Sequence, residues 1–171
     1  MKTNRIGLVQ GDITSLDVDA IVNAANHTLR GGGGVDGAIH KAAGPDLLVE
    51  CEKLNGCEPG DAKITGGYKL KANYIIHTVG PVWRGGHLNE HELLASCYQK
   101  SLTIARDNKI KIIAFPGIST GAFGFPADQA AFIAITETKR FLKKNDYPEN
   151  VLFVTFGNDN FEIYRKLLAD E

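Results

Sequence analysis

Runs of aliphatic and β-branched residues alternate along the chain with stretches in which apolar residues recur at helical spacing. The runs predict strands at 5–10, 20–24, 74–78, 111–115 and 151–156, with a weaker one at 62–65. The spaced stretches predict helices at 37–54, 90–108, 127–144 and 160–169. Pro45 should kink or break the first helix, because its ring clashes with the preceding turn and it has no N–H to donate. The alternation is typical of an α/β fold, in which helices cover both faces of a sheet.

Two glycine-rich loops each follow a predicted strand and precede a predicted helix. The loop at 26–36 contains four consecutive glycines, Gly31 to Gly34, and the loop at 116–126 combines three glycines with the hydroxyls of Ser119 and Thr120. In open α/β sheets, ligands bind at the carboxyl ends of the strands. We therefore expect the two loops to form facing walls of one cleft.

Backbone amides in these loops are suited to hold phosphate. Glycine adopts positive φ and allows close approach to the backbone, so Gly33–Val35 and Ser119–Ala122 are placed to hold the two phosphates of a diphosphate. The alternative is that the glycine run is only a flexible loop. Neither the P-loop pattern nor the dinucleotide-binding GxGxxG pattern is present, which argues against ATP hydrolysis and hydride transfer.

Two phenylalanines lie near these loops, and each has two interpretations. Phe123 either covers a sugar or belongs to the core. Phe156, at the end of the last predicted strand, is placed to stack on a base, although ordinary core packing is the more frequent outcome for such a residue.

Composition narrows the class of partner and the cellular environment. The 19 Lys and Arg residues nearly cancel 20 Asp and Glu, so we expect no direct binding of nucleic acid. No apolar run is long enough for a signal peptide or a membrane span, which predicts a cytoplasmic protein without membrane association. The 171 residues fit one domain. Three cysteines without paired spacing predict reduced structural thiols and no metal site: Cys51, Cys57 and Cys97.

Five short motifs, spread over most of the chain, carry a family resemblance. They are GDIT at 11–14, VDAIVNAAN at 18–26, GGGGVDGAIH at 31–40, HTVGP at 77–81 and GISTGAFGFP at 117–126. Together they resemble the MacroD-type branch of the macrodomains, and the PVWRGG segment at 81–86 is similar to the bacterial O-acetyl-ADP-ribose deacetylases of that branch. The resemblance implies a single macrodomain over 1–171, built as a three-layer α/β/α sandwich with a mixed, mostly parallel central sheet. It also implies an ADP-ribose cleft that needs no cofactor.

The resemblance assigns roles along this cleft. Asp12 would accept a hydrogen bond from the adenine amino group beside the Ile13 backbone, Phe156 would stack on the adenine, and Asn26 would bind a hydroxyl of the distal ribose. Relatives often have tyrosine at position 123, so any role that needs a phenolic hydroxyl is absent here. The diphosphate and distal ribose would be enclosed by Gly33, Gly34, Val35, Asp36, Ser119, Thr120, Gly121, Ala122 and Phe123.

Hydrolytic members of the family resemble this chain in having both Asn26 and Asp36. The resemblance therefore implies a metal-independent ester hydrolase, in which Asp36 positions or deprotonates water while Asn26 holds the ribose. Position alone favours Asp36 as a helix cap or first-turn carboxylate, whose pKa the helix dipole should lower. Activation of the water by a substrate phosphate is then the alternative. His40 and His77 are expected to be satisfied core residues.

The substrates implied by the resemblance are O-acetyl-ADP-ribose and mono-ADP-ribose on acidic side chains of ADP-ribosylated proteins. Two alternatives stay open. A non-catalytic ADP-ribose reader would need the same loops but not Asp36. A regulatory partner of a double-strand-specific ribonuclease is suggested only by similarity to bacterial relatives.

Overall fold

A six-stranded sheet forms the centre of the part of the chain that the computed structural model describes, residues 4–170. The strands are β1 Ile6–Gln10, β2 Ala20–Ala25, β3 Ala62–Gly66, β4 Tyr74–Val79, β5 Ile112–Phe115 and β6 Asn150–Thr155. Their order in the sheet is β1-β6-β5-β2-β4-β3, and every neighbouring pair is parallel except β3 and β4. The predicted mixed, mostly parallel sheet is therefore confirmed. The predicted extent of 1–171 includes residues 1–3 and 171, which lie outside the described residues.

Within residues 4–170, five α-helices cover the two faces of the sheet and make the predicted three layers: α1 Gly34–Ala43, α2 Asp46–Lys53, α3 Glu90–Asp107, α4 Ala127–Lys144 and α5 Asn158–Ala169. Apolar side chains of α3, α4 and α5 pack on one face, and those of α1 and α2 pack on the other. A short 3-10 helix occupies Ile13–Ser15.

The central strands are mostly apolar because both of their faces are buried. In β2, Ala20 and Val22 pack into the layer of α3–α5, whereas Ile21 between them packs towards α1 and α2. This alternation follows from the two-residue repeat of a strand, and burial on both sides is typical of parallel sheets.

The predicted helix at 37–54 is two helices. The first ends at Ala43, the chain turns at Gly44, whose φ is +90°, and the second begins at Asp46 after Pro45. The break expected at Pro45 is confirmed. The start predicted at 37 is wrong, because α1 begins inside the glycine run at Gly34 and so places Asp36 in its first turn.

The loop between β4 and α3 is anchored by Glu90. The backbone amides of Arg84, Gly86 and Leu88 donate hydrogen bonds of 2.8, 2.8 and 2.6 Å to the Glu90 carboxylate. Burial by itself would raise the Glu90 pKa, but these amides outweigh burial and lower it to about 2. The same loop contacts the second glycine loop, because the Trp83 amide donates to the Phe123 carbonyl at 2.8 Å.

Candidate functional site

A cavity of about 780 Å³ opens at the carboxyl ends of the parallel strands. The two glycine loops lie on its walls, as the sequence predicted, and segments that follow β1, β4 and β6 complete it. Every candidate site residue contributes to the lining: Asp12, Ile13, Asn26, Gly33, Gly34, Val35, Asp36, Ser119, Thr120, Gly121, Ala122, Phe123 and Phe156.

The strand order fixes the sequence of groups along this cleft. Segments after β1 and β6 place Asp12 and Phe156 at one end, whereas those after β2 and β4 place Asn26 and Gly80 at the other. The loop after β5 lies between them. Four strand spacings of about 4.8 Å each give a cleft about 19 Å long. An elongated ligand fits this shape better than a compact one.

One end of the cleft combines an oriented carboxylate with an exposed ring. Asp12 Oδ1 accepts hydrogen bonds from the Thr14 hydroxyl at 2.7 Å and the Thr14 amide at 2.9 Å, and both lower the Asp12 pKa. Phe156 is 86% exposed. Core packing of Phe156 is therefore wrong: β6 ends at Thr155, so Phe156 lies beyond the strand and offers a flat apolar face to the cleft.

The middle of the cleft is lined by backbone N–H groups that lack acceptors. Among residues 4–170, no protein acceptor contacts the amides of 119–123, and none contacts those of Gly33–Val35, which begin α1 without a side-chain cap. Ser119 has a φ of +66°, a conformation that is uncommon outside glycine. Two sets of amides thus face one cavity, and such sets attract anions.

The opposite end contains Asp36 and Asn26 on either side of Gly32. A Cβ placed on Gly32 would lie 3.4 Å from Asp36 Oδ2 and 3.3 Å from Asn26 Nδ2, so the glycine leaves both groups open to the cleft. Asn26 also holds its own loop, because Nδ2 donates to the Gly31 carbonyl and Oδ1 accepts from the Thr28 amide and hydroxyl. Among residues 4–170, these bonds leave the second Nδ2 hydrogen of Asn26 for a ligand.

The Asp36 carboxyl group is buried, and this corrects the expected direction of its pKa shift. Burial raises the pKa, while the hydrogen bond of 2.9 Å from Asn23 Nδ2 and the nearby His40 oppose that effect. The helix dipole was expected to dominate, but removal of water from the carboxylate has the larger effect. Asp36 is therefore a stronger base than an exposed aspartate.

His77 and Asn23 form a buried chain of polar groups behind Asp36. The second hydrogen of Asn23 Nδ2 points to His77 Nδ1 at 3.1 Å, and His77 Nε2 lies 2.9 Å from Thr65 Oγ1. Burial lowers the His77 pKa to about 3, so the ring is neutral at physiological pH. His77 is a satisfied core residue, as expected. Asn23 escaped the sequence analysis, although an asparagine within an apolar strand is itself an unusual signal.

His40 differs from the expectation of a satisfied core residue. Its Nε2 lies 3.5 Å from Asp36 Oδ1 and has no hydrogen-bond partner among residues 4–170. The ring therefore lies close enough to interact electrostatically with the Asp36 carboxylate.

The cysteine thiols, predicted to be reduced and structural, are free, and all three are buried. Burial raises the pKa of each to about 11, so none is a thiolate nucleophile near neutral pH: Cys51, Cys57 and Cys97. Residues 4–170 contain no group of three or more His, Cys, Asp or Glu side chains arranged to hold a metal ion. Within the same range, no helix has the length and apolar character needed to cross a membrane.

The Macro domain family model matches residues 22–134, which contain both glycine loops. The chain belongs to the macro domain family. This macrodomain is 62% identical over 169 residues to a macro domain-containing protein of Methanosarcina mazei, an alignment that covers 99% of this chain and 90% of the relative. It is 54% identical to the human ADP-ribose glycohydrolase MACROD2, over 98% of this chain and 40% of that longer protein. Such relatives place it in the MacroD-type branch.

Solved structures agree with this placement. The Oceanobacillus iheyensis macrodomain with ADP matches at a TM-score of 0.90 and 42% identity, over 95% of this chain and 89% of that one. The Trypanosoma brucei macrodomain in complex with ADP-ribose matches at a TM-score of 0.90 and 43% identity, over 96% of this macrodomain and 69% of that chain.

Proposed function

We propose that this macrodomain binds ADP-ribose and hydrolyses an ester at its distal ribose. Its substrates are O-acetyl-ADP-ribose and proteins that carry mono-ADP-ribose on acidic side chains. One observation carries the proposal: two sets of unpaired backbone amides line a cleft that ends at a buried carboxylate, Asp36. Relatives named as binding ADP or ADP-ribose, and one named as a glycohydrolase, support it.

The order of groups along the cleft matches the order of groups along ADP-ribose. Adenine stacks on Phe156 and donates its amino hydrogen to Asp12, and the diphosphate lies between the amides of Gly33–Val35 and 119–123. The distal ribose then reaches Asn26 and Asp36. Backbone amides supply the attraction for the phosphates, which explains how a chain with balanced charge binds a dianion.

Asp36 supplies the base for hydrolysis. Its Oδ1 is held by Asn23, and its Oδ2 lies beside Gly32 at the edge of the cleft, so Oδ2 accepts a proton from water. The water oxygen attacks the acyl carbon as Asp36 takes one proton from the water. The bond between the acyl carbon and the ribose oxygen then breaks as Asp36 returns that proton to the ribose oxygen. The products are a carboxylic acid and ADP-ribose. The raised pKa of Asp36 favours this role over activation by a substrate phosphate.

Incubation with O-acetyl-ADP-ribose in ¹⁸O-labelled water tests the proposed function. We expect free ADP-ribose together with acetate that carries one heavy oxygen, and the same rate in the presence of a chelator. Calorimetry with ADP-ribose, run in parallel, would detect binding without turnover. Tight binding with no acetate released would contradict hydrolysis and support the reader alternative.

Replacement of Phe156 by alanine is expected to weaken ADP-ribose binding about two- to tenfold, the usual range for one aromatic stacking contact. Phe132→Ala is the matched control, because Phe132 is also an exposed phenylalanine, at 60%, but lies outside the cleft lining. Titration calorimetry of both variants measures the difference. Equal affinities for the two variants would show that the adenine does not stack on Phe156.

Two further predictions lie beyond this site. A ribonuclease partner and a cytoplasmic location stay predictions from the sequence, and neither is needed for the chemistry proposed for Asp36. A non-catalytic ADP-ribose reader would use the same backbone amides, but it would have no function for the buried, oriented carboxylate of Asp36.

A further inference from the structure

A second cavity of about 750 Å³ lies next to the ADP-ribose cleft. We call it the side cavity. Its lining includes His27 and Arg30 from the loop after β2, Glu52 from α2, Glu58 from the segment before β3, and Val82 after β4. None of these five residues lines the cleft.

The side cavity continues the cleft past its catalytic end. Gly80 and Phe123 line both spaces. In the sheet, β4 and then β3 lie beyond β2. Because β3 is antiparallel to β4, the carboxyl end of β4 and the amino end of β3 lie at the same edge of the sheet as the cleft, and the segments there extend its row of loops. The loop that starts at Asn26 also has two sides, because Asn26 lines the cleft whereas His27 and Arg30 line the side cavity. A group bonded to the distal ribose near Asn26 would therefore enter the side cavity.

The volume of the side cavity exceeds the needs of an acetyl group. The three heavy atoms of an acetyl group occupy roughly 100 Å³, if each takes about the 30 Å³ of one water molecule. The lining also contains polar side chains that a ligand could contact. Arg30 and Glu52 form an exposed ion pair, in which a guanidinium nitrogen and a carboxylate oxygen are 4.0 Å apart. These dimensions suit a stretch of polypeptide.

Charge narrows the choice of polypeptide. Glu52 and Glu58 outnumber the single guanidinium of Arg30 in the lining. Among residues 4–170, the Glu58 carboxylate has no hydrogen bond or ion pair. A cationic side chain of a substrate would complement this carboxylate.

We propose that the side cavity is the binding site for the polypeptide of an ADP-ribosylated protein, and that it prefers a modified acidic residue with a lysine or arginine close by in sequence. The inference rests on the proposed function, because the ester must first be held at Asp36. It adds the sequence context preferred in the polypeptide that carries the acyl group of the ester. The acetyl substrate, being small, makes little use of the side cavity.

The test compares Glu58→Lys with Glu92→Lys, which makes the same charge change at an exposed residue outside both cavities. The substrates are O-acetyl-ADP-ribose and two peptides with one mono-ADP-ribosylated glutamate, flanked by lysines or by glutamates. Melting temperatures confirm that both variants fold. We expect Glu58→Lys to lower kcat/KM on the lysine peptide about five- to tenfold and to raise it on the glutamate peptide. Turnover of O-acetyl-ADP-ribose should stay within about twofold.

The outcomes separate the two proposals. If the wild type hydrolyses the peptides but Glu58→Lys behaves like Glu92→Lys on both, the side cavity does not bind the polypeptide, while the proposed function stands. If Glu58→Lys affects all three substrates equally, the residue acts on the fold or the cleft, and the inference fails. If the wild type releases ADP-ribose from none of them, the proposed function fails and the inference falls with it.

Discussion

Replacement of Asp36 by asparagine is expected to lower kcat on O-acetyl-ADP-ribose by about 10²- to 10⁴-fold, the usual contribution of a general base. Asparagine has the same shape, and its side-chain oxygen can still accept the hydrogen bond from Asn23, so the loops should keep their positions. The affinity for ADP-ribose should therefore change little. Chromatography of the released ADP-ribose measures turnover, and calorimetry measures binding. Asp17→Asn, at an exposed residue outside the cleft, is the control.

The pH dependence gives this prediction a second readout. Wild-type kcat should fall in mild acid, at a pH above the ordinary aspartate range, because burial raises the Asp36 pKa. The remaining activity of Asp36→Asn should lack that decline. A variant that retained full turnover, or the same acid limb as the wild type, would remove Asp36 from the chemistry.

Stability should change in the opposite direction to activity. Because the folded-state pKa is raised, the folded protein binds the Asp36 proton more tightly than the unfolded chain does. The stabilising contribution is complete below the unfolded pKa of about 3.9 and is lost as pH rises through the folded pKa. Asp36→Asn cannot ionise, so at pH 7 its melting temperature should exceed that of the wild type, by about 2–4 °C for each kcal/mol of stability that ionised Asp36 costs the wild type. Near pH 3 the two proteins should melt at the same temperature.

The Gly80→Ala substitution is expected to weaken ADP-ribose binding about 5- to 150-fold. A Cβ at this position would lie 2.1 Å from Ser119 Oγ and 2.7 Å from Ile118 Cγ2. Overpacking of this kind destabilises the packed structure by about 1–3 kcal/mol, and the buried Ser119 has to move to relieve it. The unpaired amides that follow Ser119 would move with it, away from the phosphates.

Gly66→Ala is the matched control for Gly80→Ala. The added Cβ at Gly66, in the edge strand β3, meets no atom closer than 3.7 Å, so folding and binding should be unchanged. Calorimetry and thermal melting of both variants separate a local effect on the loop from a global one. If Gly80→Ala bound ADP-ribose as tightly as Gly66→Ala, the position of the Ser119 loop would not control phosphate binding.

Features that depend on local chemistry could be predicted from the sequence. The runs of aliphatic and β-branched residues located the strands within a few residues, and Pro45 gave the helix break. The two glycine loops met in one cleft because the carboxyl ends of parallel strands share an edge of the sheet. The contacts assigned to the individual loop residues stay predictions that binding experiments must test.

Features that depend on tertiary packing could not be predicted in the same way. The pKa of Asp36 rises because α1 buries the carboxyl group against β2, and its partner Asn23 contacts His77, a residue 54 positions away in the chain. Phe156 is exposed because β6 ends at Thr155, one residue before the predicted strand end. A shift of one residue in a strand boundary is enough to change a side chain from buried to exposed. Neither property is encoded in a local pattern.

Asn23 divides its two amide hydrogens between the Asp36 carboxylate and the imidazole of His77. An aspartate at this position would have the same size, but it would have no hydrogen to donate and would place a second negative charge against Asp36. Deamidation of this one side chain, a slow form of protein ageing, would therefore inactivate the macrodomain from its interior while leaving its ligand-binding surface intact.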